Sequence, residues 1–511
     1  MKRIVECVPN FSEGRNKDVI NKIVAAITGA ASPVTGEKVK LLDVDPGEAT
    51  NRTVVTFVGS PEAVCEAAFR GVQKAGELID MTRHHGAHPR SGATDVLPLI
   101  PVAGISLEEC AELARGLSKR ISSELGIPCY CYEAAAFKPE RKNLAVCRAG
   151  EYEALPEKMA DPARRPDFGP ESFDETAAKS GASNVGARNF LIAVNFNLNT
   201  TSTRRAMAVA FDVREKGRKA REGGSLTGKV LKDADGKDIW IPGTLKGCKA
   251  IGWYIDEYGI AQVSMNITDI ASTPLHKAFE EVCRAAQARG LRVTGTEIVG
   301  LVPKSALIDA GRYFLEKQQR STGVSDEEIM KIAVKSMGLD DLKPFNPKEK
   351  VIEYLMQDEA EEAARQRLVR MSLKGFADET ASESPAPGGG SISAYMGALG
   401  AALGTMVANL SAHKRGWDER WKEFSDWAEK GQEVMKELLD LVDEDTAAFD
   451  RIMDVFKMPK GNDEEKAARA AALEAATLYA AQVPLRTMKA ALKALPVAKA
   501  MAEEGNPASA S

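Results

Sequence analysis

The stretch DVLPLIPVAGISLEECAELARGLSKRISSELGIPCYCY, residues 95–132, decides the fold of the amino-terminal third of the chain. A strand pattern over 95–102 precedes the capping box Ser106-Leu107-Glu108-Glu109, which opens a helix, and a second strand pattern over 128–132 closes the unit. Further out, strand patterns lie at 4–8, 39–44 and 53–58, and helix patterns at 18–27 and 61–79. Because one strand follows another directly while helices separate the rest, the order predicts a split βαβ, ferredoxin-like layer.

The same order of elements returns after Asn189. Strand, helix, hairpin, helix and strand patterns occupy 190–198, 202–216, 251–267, 273–289 and 294–302. Two α/β subdomains of this kind, facing one another, leave a cleft between them. Within the second subdomain, the stretch Gly217 to Gly247 is rich in Gly, Lys and Asp and predicts a surface insertion.

From Met371 onward the sequence shows only helical periodicity, in the segments 391–410, 417–456 and 463–489. The chain is therefore predicted to be multidomain, with two α/β (α+β, ferredoxin-like) subdomains followed by an all-α helical bundle. The predicted limits are 1–187 and 188–356 for the subdomains, 357–367 for a charged linker and 368–511 for the bundle.

The bulk composition excludes several classes of protein. A chain of 511 residues is too long for a single core, and its net charge of −5 gives no general attraction to nucleic acid or to an anionic membrane. The eight cysteines are scattered without a C-x-x-C pair, which predicts reduced thiols and a cytoplasmic location. The uncharged stretch 391–410 is long enough to span a membrane, but its Gly, Ala and Ser residues favour a packed helix of a soluble bundle.

Three of the five histidines lie in one run, RHHGAHPR, residues 83–90. Histidine exchanges protons near neutrality, the glycine and proline disfavour a helix, and arginine suits carboxylates. The run therefore predicts a loop that transfers protons on an anionic substrate, with Arg90 as a candidate ligand for a carboxylate. From the residues alone two alternatives stay open, a structural loop and the metal site of a hydrolase that uses the i, i+4 pair His84 and His88.

Carboxylates stand out in two further places. Asp43 and Asp45 end a strand pattern before a Pro-Gly turn and share one strand face, where ligands collect in α/β folds, although turn formation explains them equally well. The acidic segment LVDEDTAAFD, residues 441–450, lies in a helix pattern. A solvated helix face is the ordinary interpretation of such a run, and composition singles out none of its acids.

Three glycines, Gly388, Gly389 and Gly390, precede the uncharged helix pattern. Glycines before a helix expose backbone N–H groups at its positive end, which suits an anion. A flexible entry to the helix explains them equally well.

Several segments together resemble one family. They are VECVPNFSEG (5–14), LDVD (42–45), NRT (51–53), HPR (88–90), DFGP (167–170), APGGGS (386–391) and DEDTAAF (443–449). In this order, across two unrelated domains, they resemble the formimidoyltransferase-cyclodeaminases, the bifunctional folate enzymes of histidine degradation. The resemblance covers nearly the whole chain.

The resemblance implies roles for particular residues. The catalytic histidine of the transferase falls on His88, its assisting aspartate on Asp45, and the catalytic aspartate of the cyclodeaminase on Asp445. The chemistry of arginine, rather than the resemblance, assigns a substrate carboxylate to Arg90. The implied folate-binding residues are Gly169, Pro170, Glu171, Ser172, Phe173, Asp174, Glu175, Thr176, Ala177 and Ala178, with Gly388, Gly389 and Gly390 for the glutamate tail of the folate.

The implied reactions follow one another. The formimidoyl group passes from N-formimidoyl-L-glutamate to tetrahydrofolate, and the product is cyclised to 5,10-methenyltetrahydrofolate with release of ammonia. The resemblance further implies polyglutamylated tetrahydrofolate as co-substrate, no metal and a homo-oligomer. Because the family continues beyond the final segment 505–511, we expect a carboxyl-terminal truncation. The alternatives are then a transferase-only fragment with an inactive cyclodeaminase half, or a folate-binding protein without catalysis.

Overall fold

The computed structural model of the protein describes residues 3–48, 50–86, 89–224, 228–356 and 367–509. Two units make up the chain, Met1–Lys304 with Asp341–Met356, and Ser305–Asp340 with Gln357–Ser511. The linker expected at 357–367 lies outside the described residues except for its last position. The domain limits stay predictions, but residues 305–340, which we expected in the second subdomain, group with the helical unit.

The first unit contains a seven-stranded sheet. Its strands are β1 (Ile4–Cys7), β2 (Asn10–Phe11), β3 (Lys40–Gly47), β4 (Arg52–Gly59), β5 (Thr94–Ala103), β6 (Cys129–Glu133) and β7 (Ser183–Ala187). β1 and β2 follow one another between β4 and β5, while β3 lies outside β4, and β7 and then β6 lie beyond β5. The β5–β7 and β6–β7 pairs are parallel, and the other pairs are antiparallel.

Helices cover one face of this sheet. They are α1 (Lys17–Gly29), α2 (Pro61–Leu78) and α3 (Leu107–Leu125), with the short helices α4 (Leu144–Cys147), α5 (Leu155–Ala160) and α6 (Glu175–Ser180) nearby. The capping box of α3 forms as expected, because Ser106 Oγ accepts the Glu109 N–H at 3.2 Å and Glu109 Oε2 accepts the Ser106 N–H at 2.8 Å. Alternate strand residues such as Val5, Phe57 and Leu97 are buried in the core that the sheet shares with these helices.

The second sheet repeats the arrangement. It comprises β8 (Ile192–Leu198), β11 (Cys248–Ile255), β12 (Ile260–Ile267) and β13 (Val293–Val299), with α7 (Thr203–Val213) after β8 and α8 (Leu275–Gln287) after β12. The strand order is β11, β12, β8, β13 and every pair is antiparallel. In the seven-stranded sheet, β1, α1, β3, β4, α2 and β5 follow the same order of four strands and two helices, to which β2, β6 and β7 are added. The prediction of two ferredoxin-like subdomains is confirmed.

The sequence patterns predicted one feature of the first unit only in part and missed another. The expected insertion, Gly217 to Gly247, contains the two-stranded sheet β9 (Arg218–Lys219) and β10 (Trp240–Ile241). Strand β7, with the sequence SNVGA, was missed. Its residues are buried between two parallel neighbours and carry little apolar bulk, so no alternating pattern marks them.

The second unit is helical. It contains α9 (Lys304–Lys317, from Ser305 onward) and α10 (Asp326–Met337), after which α11 (Pro347–Lys350) and α12 (Ile352–Met356) return to the first unit. The bundle helices are α13 (Leu373–Thr380), α14 (Gly389–Ala412), α15 (Trp421–Lys457) and α16 (Asp463–Glu504). The all-α carboxyl-terminal region is therefore confirmed, and α16 extends well beyond the expected end at residue 489.

Helix α14 is the uncharged segment that raised the question of a membrane span. By length and composition it is apolar enough to cross a membrane, and 39% of its most apolar window is buried. Its buried residues are small, such as Ala394, Ala398 and Ala401, and they share a core with Leu438 of α15 and Val483 of α16. The packing is that of a helix in a close-packed bundle.

Two glycines give a matched test of this packing. A Cβ at Gly431, in α15, would overlap Oγ1 of Thr405, whereas a Cβ at Gly400, in α14, meets nothing within 4 Å. We expect Gly400→Ala to raise the free energy of unfolding by about 0.5–1 kcal/mol, because alanine loses less backbone entropy in a helix. Gly431→Ala should lower it by about 1–3 kcal/mol through overpacking. Urea unfolding measures both changes, and equal effects would contradict the close approach of α14 and α15.

Candidate active sites

The open faces of the two sheets in the first unit line a common cleft. Three adjoining cavities of about 780, 290 and 910 Å³ occupy it. Asn266 of β12 lines all three, Tyr132 and Arg148 line the first two, and Asp45 and Arg52 line the last two. The cleft expected between the subdomains is present, and its size suits a small-molecule ligand.

Asp45 reaches this cleft from β3. The pairing of β3 with β4 places Asp45 opposite Val54 and Asp43 opposite Thr56, and Val54 and Thr56 both line the cleft. The two aspartates therefore share a face, as the alternation of side chains predicted. Burial raises the pKa of the Asp43 carboxyl, Lys350 opposes that shift and Asp45 adds to it.

Asn51 holds the histidine loop against the β3–β4 hairpin. It has a positive φ of 49°, its Oδ1 accepts the Gly14 N–H at 3.0 Å, and its Nδ2 donates to the His85 carbonyl at 3.0 Å. Its own carbonyl oxygen lies 3.0 Å from Nε2 of the buried His84. The hairpin that carries Asp45 and the first half of the histidine loop are thus joined by one residue.

His88, with Ala87, lies outside the described residues. On one side of it, Gly86 packs so closely that a Cβ there would overlap the carbonyl oxygen of Thr50. On the other side, Pro89 lines the cavity of about 780 Å³. Both flanks of the loop therefore border the Asp45 hairpin or the cleft, and the catalytic role of His88 stays a prediction.

The metal alternative for the histidine run also stays untested. His84 is buried, and burial lowers its pKa while the hydrogen bond to Asn51 opposes the shift. Among the residues that the structure describes, no group of three or more His, Cys, Asp or Glu side chains is arranged to hold a metal ion. His88 is not among these residues, so this statement does not extend to the His84–His88 pair.

Arg90 is engaged within the chain. Its guanidinium donates to Glu151 at 2.9 Å and to Glu153 at 2.6 and 3.0 Å, and it reaches the His84 carbonyl at 3.3 Å. The hydrogen bond that Arg90 donates to Glu153 raises the pKa of its guanidinium. Its assignment to a substrate carboxylate stays a prediction, and binding of that kind requires one of these ion pairs to open.

Four other arginines line the cleft and were not assigned from the sequence: Arg52, Arg148, Arg188 and Arg214. Arg148 pairs with the buried Asp95, with Nε 3.1 Å from Oδ1. Burial lowers the pKa of Arg52 to about 10, although the charge of Asp95 opposes the shift. Guanidinium groups in such a cleft suit anionic substrates. Arg52 could have been found from its position in the β3–β4 hairpin. It pairs with Gly47, two residues after Asp45, so it is close to the predicted site.

Glu6 of β1 is a further missed group. Its side chain is buried and lines the cavity of about 290 Å³. Burial raises its pKa to about 7, with the charge of Arg188 opposing the shift. The carboxyl group therefore holds a proton for much of its time near neutrality, at the wall of the cleft. Its signal was a lone acid within the otherwise apolar segment Ile4–Cys7.

The expected folate-binding segment, residues 169–178, lies beside the edge strand β6. Within it, Asp174 Oδ1 accepts the Ala177 N–H at 2.8 Å and begins α6, and the Ala178 carbonyl accepts the Tyr152 hydroxyl at 2.6 Å. Residues 169–178 line none of the three cavities of the cleft. Their assignment to folate stays a prediction.

In the second unit, the three consecutive acids at 443–445 have different hydrogen-bond partners. Asp443 is buried and accepts two backbone N–H groups of residues 368–369 at 2.7 and 3.2 Å. Glu444 pairs with Arg486 of α16 at 2.5 Å. These two acids stabilise the bundle, and Asp445 is left for another role.

Asp445 belongs to α15, and its side chain contacts the start of α14. Its Oδ2 accepts the Ser391 N–H at 2.9 Å and lies 3.3 Å from Ser391 Oγ. A Cβ at Gly390 would overlap the same carboxylate, so glycine is required there by close approach. The glycine turn and Asp445, treated separately in the sequence, form one site, and tail binding by Gly388, Gly389 and Gly390 stays a prediction.

These two units define an enzyme with two candidate sites, a cationic cleft between ferredoxin-like sheets and a carboxylate at a glycine-rich helix start. Family models match the chain in sequence order: the N-terminal subdomain of the formiminotransferase domain at residues 4–188, the formiminotransferase domain at 193–357, and formiminotransferase-cyclodeaminase at 372–511. The chain belongs to the formiminotransferase-cyclodeaminase family.

Individual relatives agree with this assignment. The formimidoyltransferase-cyclodeaminase of Mus musculus is 43% identical over 506 residues, which are 99% of this chain and 87% of that protein. The glutamate formimidoyltransferase of Streptococcus pyogenes serotype M1 is 41% identical over 62% of this chain and 94% of its own. The methenyltetrahydrofolate cyclohydrolase of Methylorubrum extorquens is 38% identical over 26% of this chain and 65% of its own. The expected carboxyl-terminal truncation is not borne out.

The raised pKa of Glu6 predicts a pH-dependent stability. Between the ordinary glutamate pKa of 4.5 and the folded value of about 7, the folded state binds the extra proton. Its contribution is therefore complete below 4.5 and is lost as the pH rises through 7, by an amount on the order of 3 kcal/mol. Calorimetric unfolding from pH 4.5 to 8 should show that Glu6→Gln removes this decline. The control variant Glu112→Gln, at an exposed position, should keep the decline in stability. Equal pH profiles for the wild type and Glu6→Gln would refute the raised pKa of Glu6.

Proposed function

We propose that the chain catalyses two consecutive reactions on a folate. It transfers the formimidoyl group from N-formimidoyl-L-glutamate to tetrahydrofolate, and it then cyclises the product to 5,10-methenyltetrahydrofolate with release of ammonia. The observation that carries the proposal is the placement of Asp45 in a cationic cleft and of Asp445 at a helix start. Each lies in the part of the chain that the corresponding family model matches.

The transfer requires a proton carrier. N5 of tetrahydrofolate attacks the formimidoyl carbon, so that the N5–C bond forms and the bond from that carbon to the glutamate nitrogen breaks. N5 loses a proton and the glutamate nitrogen gains one, which suits an imidazole that works near neutrality. His88 fills this role in the proposal, and Asp45 orients His88 or the folate. Arg52 and Arg188, on the cleft wall, are suited to hold substrate carboxylates, in addition to the role assigned to Arg90.

The cyclisation is an intramolecular step. N10 attacks the same carbon, the N10–C bond forms and the bond to the departing ammonia breaks. Because both reacting atoms belong to one molecule, most of the rate enhancement can come from positioning. The formimidoyl group reacts as its amidinium cation, so one proton passed from N10 to the leaving nitrogen completes the ammonia, and the positive charge stays on the methenyl product. Asp445, oriented by the Ser391 N–H, carries this proton in the proposal.

Paired variants should separate the two activities. His88→Ala should lower the transfer rate by about 10²–10⁴-fold through loss of the proton carrier, yet spare cyclisation of supplied 5-formimidoyltetrahydrofolate. Asp445→Asn should keep glutamate release and lose ammonia release. Glutamate, ammonia and methenyl-folate are followed in parallel.

Matched controls lie close to both residues. His85 is exposed in the same loop and Asp450 is exposed on the same helix, so His85→Ala and Asp450→Asn should retain both activities. Loss of both activities in either catalytic variant would contradict two separate sites. Glutamate release without ammonia from the wild-type chain would favour the alternative of an active transferase with an inactive cyclodeaminase half.

We further propose that the chain forms a homo-oligomer through the bundle. Large apolar side chains on two helices are 44–67% exposed and recur every three or four residues, which is the spacing of a helix–helix seam. They are Met396, Leu399, Leu403, Met406 and Leu410 on α14, and Leu485, Met488, Leu492 and Leu495 on α16. Rows of this size are rare on monomers, and a second copy offers the same surface in return.

Sedimentation velocity tests the oligomer. Lysine at two seam positions, Leu403→Lys with Leu492→Lys, should dissociate it, because burial of the added charges opposes association. The control Glu433→Lys places a lysine on an exposed position of α15 and should leave the mass unchanged. A monomeric wild type, or an unchanged mass in the double variant, would exclude association through these seams.

Three finer assignments complete the proposal. A cytoplasmic location is supported by the absence of disulfides among the eight cysteines, all of them described. Polyglutamylated tetrahydrofolate as co-substrate is supported by Lys142, Lys216 and Lys249 along the cleft. Catalysis without a resident metal distinguishes the proposal from a hydrolase that uses His84 and His88, and activity that survives exhaustive chelation supports it.

A further inference from the structure

A cavity of about 650 Å³ lies in the second subdomain, between α7 and the small sheet of β9 and β10. We call it the basic pocket. The cations that line it are Arg204, Arg214, Arg218, Lys219 and Arg221. Apart from Arg214, which also lines the cavity of about 910 Å³, none of them lines the cleft, and the proposed reactions use none of the five.

The walls of the basic pocket are built into the fold. Gly217 has a positive φ of 65°, and a Cβ there would overlap the carbonyl oxygen of Ile241. A Cβ at Gly243 would overlap the carbonyl oxygen of Arg214. These two close approaches clamp the β9–β10 segment onto the end of α7. The pocket is therefore a formed feature of the subdomain.

Two of the cations have acidic partners. Arg218 Nε lies 3.7 Å from Asp212, and Lys219 Nζ lies 2.6 Å from Asp238. Asp212 also pairs with Arg289 at 2.6 Å, so its charge is shared. The two carboxylates therefore neutralise the positive charge on this side of the pocket only in part.

The other three cations lack a carboxylate partner in the ranges that the structure describes. They are Arg204, Arg214 and Arg221. Arg214 donates to two backbone carbonyls at 3.0 and 3.3 Å, and Arg221 to one at 2.7 Å. Burial lowers the pKa of Arg214, the effect expected of a cation without a neutralising anion. Together they favour an anion with more than one charge.

The remaining lining is apolar and aromatic. Met207 and Phe211 of α7 face the pocket together with Trp240 of β10. The Trp240 ring lies 4.7 Å from Lys216 Nζ and is 38% exposed, so part of its surface is open to a ligand. An apolar wall with guanidinium groups on either side suits a planar body that bears anionic groups.

We propose that the basic pocket binds a small aromatic anion with two or more negative charges, carried on phosphate or carboxylate groups, at a site separate from both catalytic sites. Arg204 and Arg221 hold the anionic oxygens and Trp240 packs against the aromatic body. The ligand adjoins the transferase cleft through Arg214, which both cavities share.

Calorimetric titration of the full chain tests the proposal with three probes. AMP represents an aromatic phosphate, phthalate an aromatic dicarboxylate, and adenosine an uncharged aromatic. We expect AMP or phthalate to bind one per chain at least roughly tenfold more tightly than adenosine, with affinity falling as salt rises. The tighter of the two anions identifies the anionic group. Binding of neither anion, or equal binding of AMP and adenosine, would overturn the proposal.

Variants then locate the binding site. Arg204→Gln with Arg221→Gln should weaken the anion by roughly tenfold or more, and Trp240→Ala should weaken it without changing the salt dependence. Arg284→Gln, an exposed arginine of α8 outside the pocket, is the matched control and should bind as wild type. Retained transferase activity shows that each variant is folded. Unchanged binding in the double variant, or binding that is lost with Arg52→Gln in the cleft instead, would place the anion elsewhere and refute the basic pocket.

Discussion

Successive side chains of a strand point to opposite faces of its sheet, and the first unit depends on this alternation. In β1, Val5 and Cys7 are buried in the core with the helices, while Glu6 between them lines the cleft. In β4, Phe57 belongs to the core and Thr56 to the cleft. Because the helix-facing side must be apolar to exclude water, charged groups are confined to the opposite side. The cleft arises where two such faces meet.

Asn51 fixes the histidine loop next to the β3–β4 hairpin. Its positive φ lets the chain turn between β3 and β4, and a short polar side chain tolerates that conformation better than most. Its three polar groups then tie Gly14 and the loop at His84–His85 to the turn. One residue therefore joins the hairpin of Asp45 to the loop that leads to His88.

In the helical unit, close packing of helices forms the candidate site. Small residues on α14 allow α15 to approach closely, as the contact of Gly431 with Thr405 shows. The same closeness brings Asp445 of α15 onto the first turn of α14, where the Ser391 N–H orients it. The neighbouring acids Asp443 and Glu444 have other partners, so the three acids of a run that looks uniform in sequence make three different sets of contacts.

The periodicity of the sequence determined the order of most strands and helices, with β7 as an exception, the capping box of α3, the hairpin between β11 and β12, and the common face of Asp43 and Asp45. These features depend on residues close in the chain, so local chemistry suffices to predict them. Tertiary structure alone decided which polar groups meet. Asp445 contacts Ser391 from 54 residues away, and Arg148 contacts Asp95 from 53 residues away. Such contacts depend on how sheets and helices pack together. No local sequence pattern encodes a contact between residues so far apart in the chain.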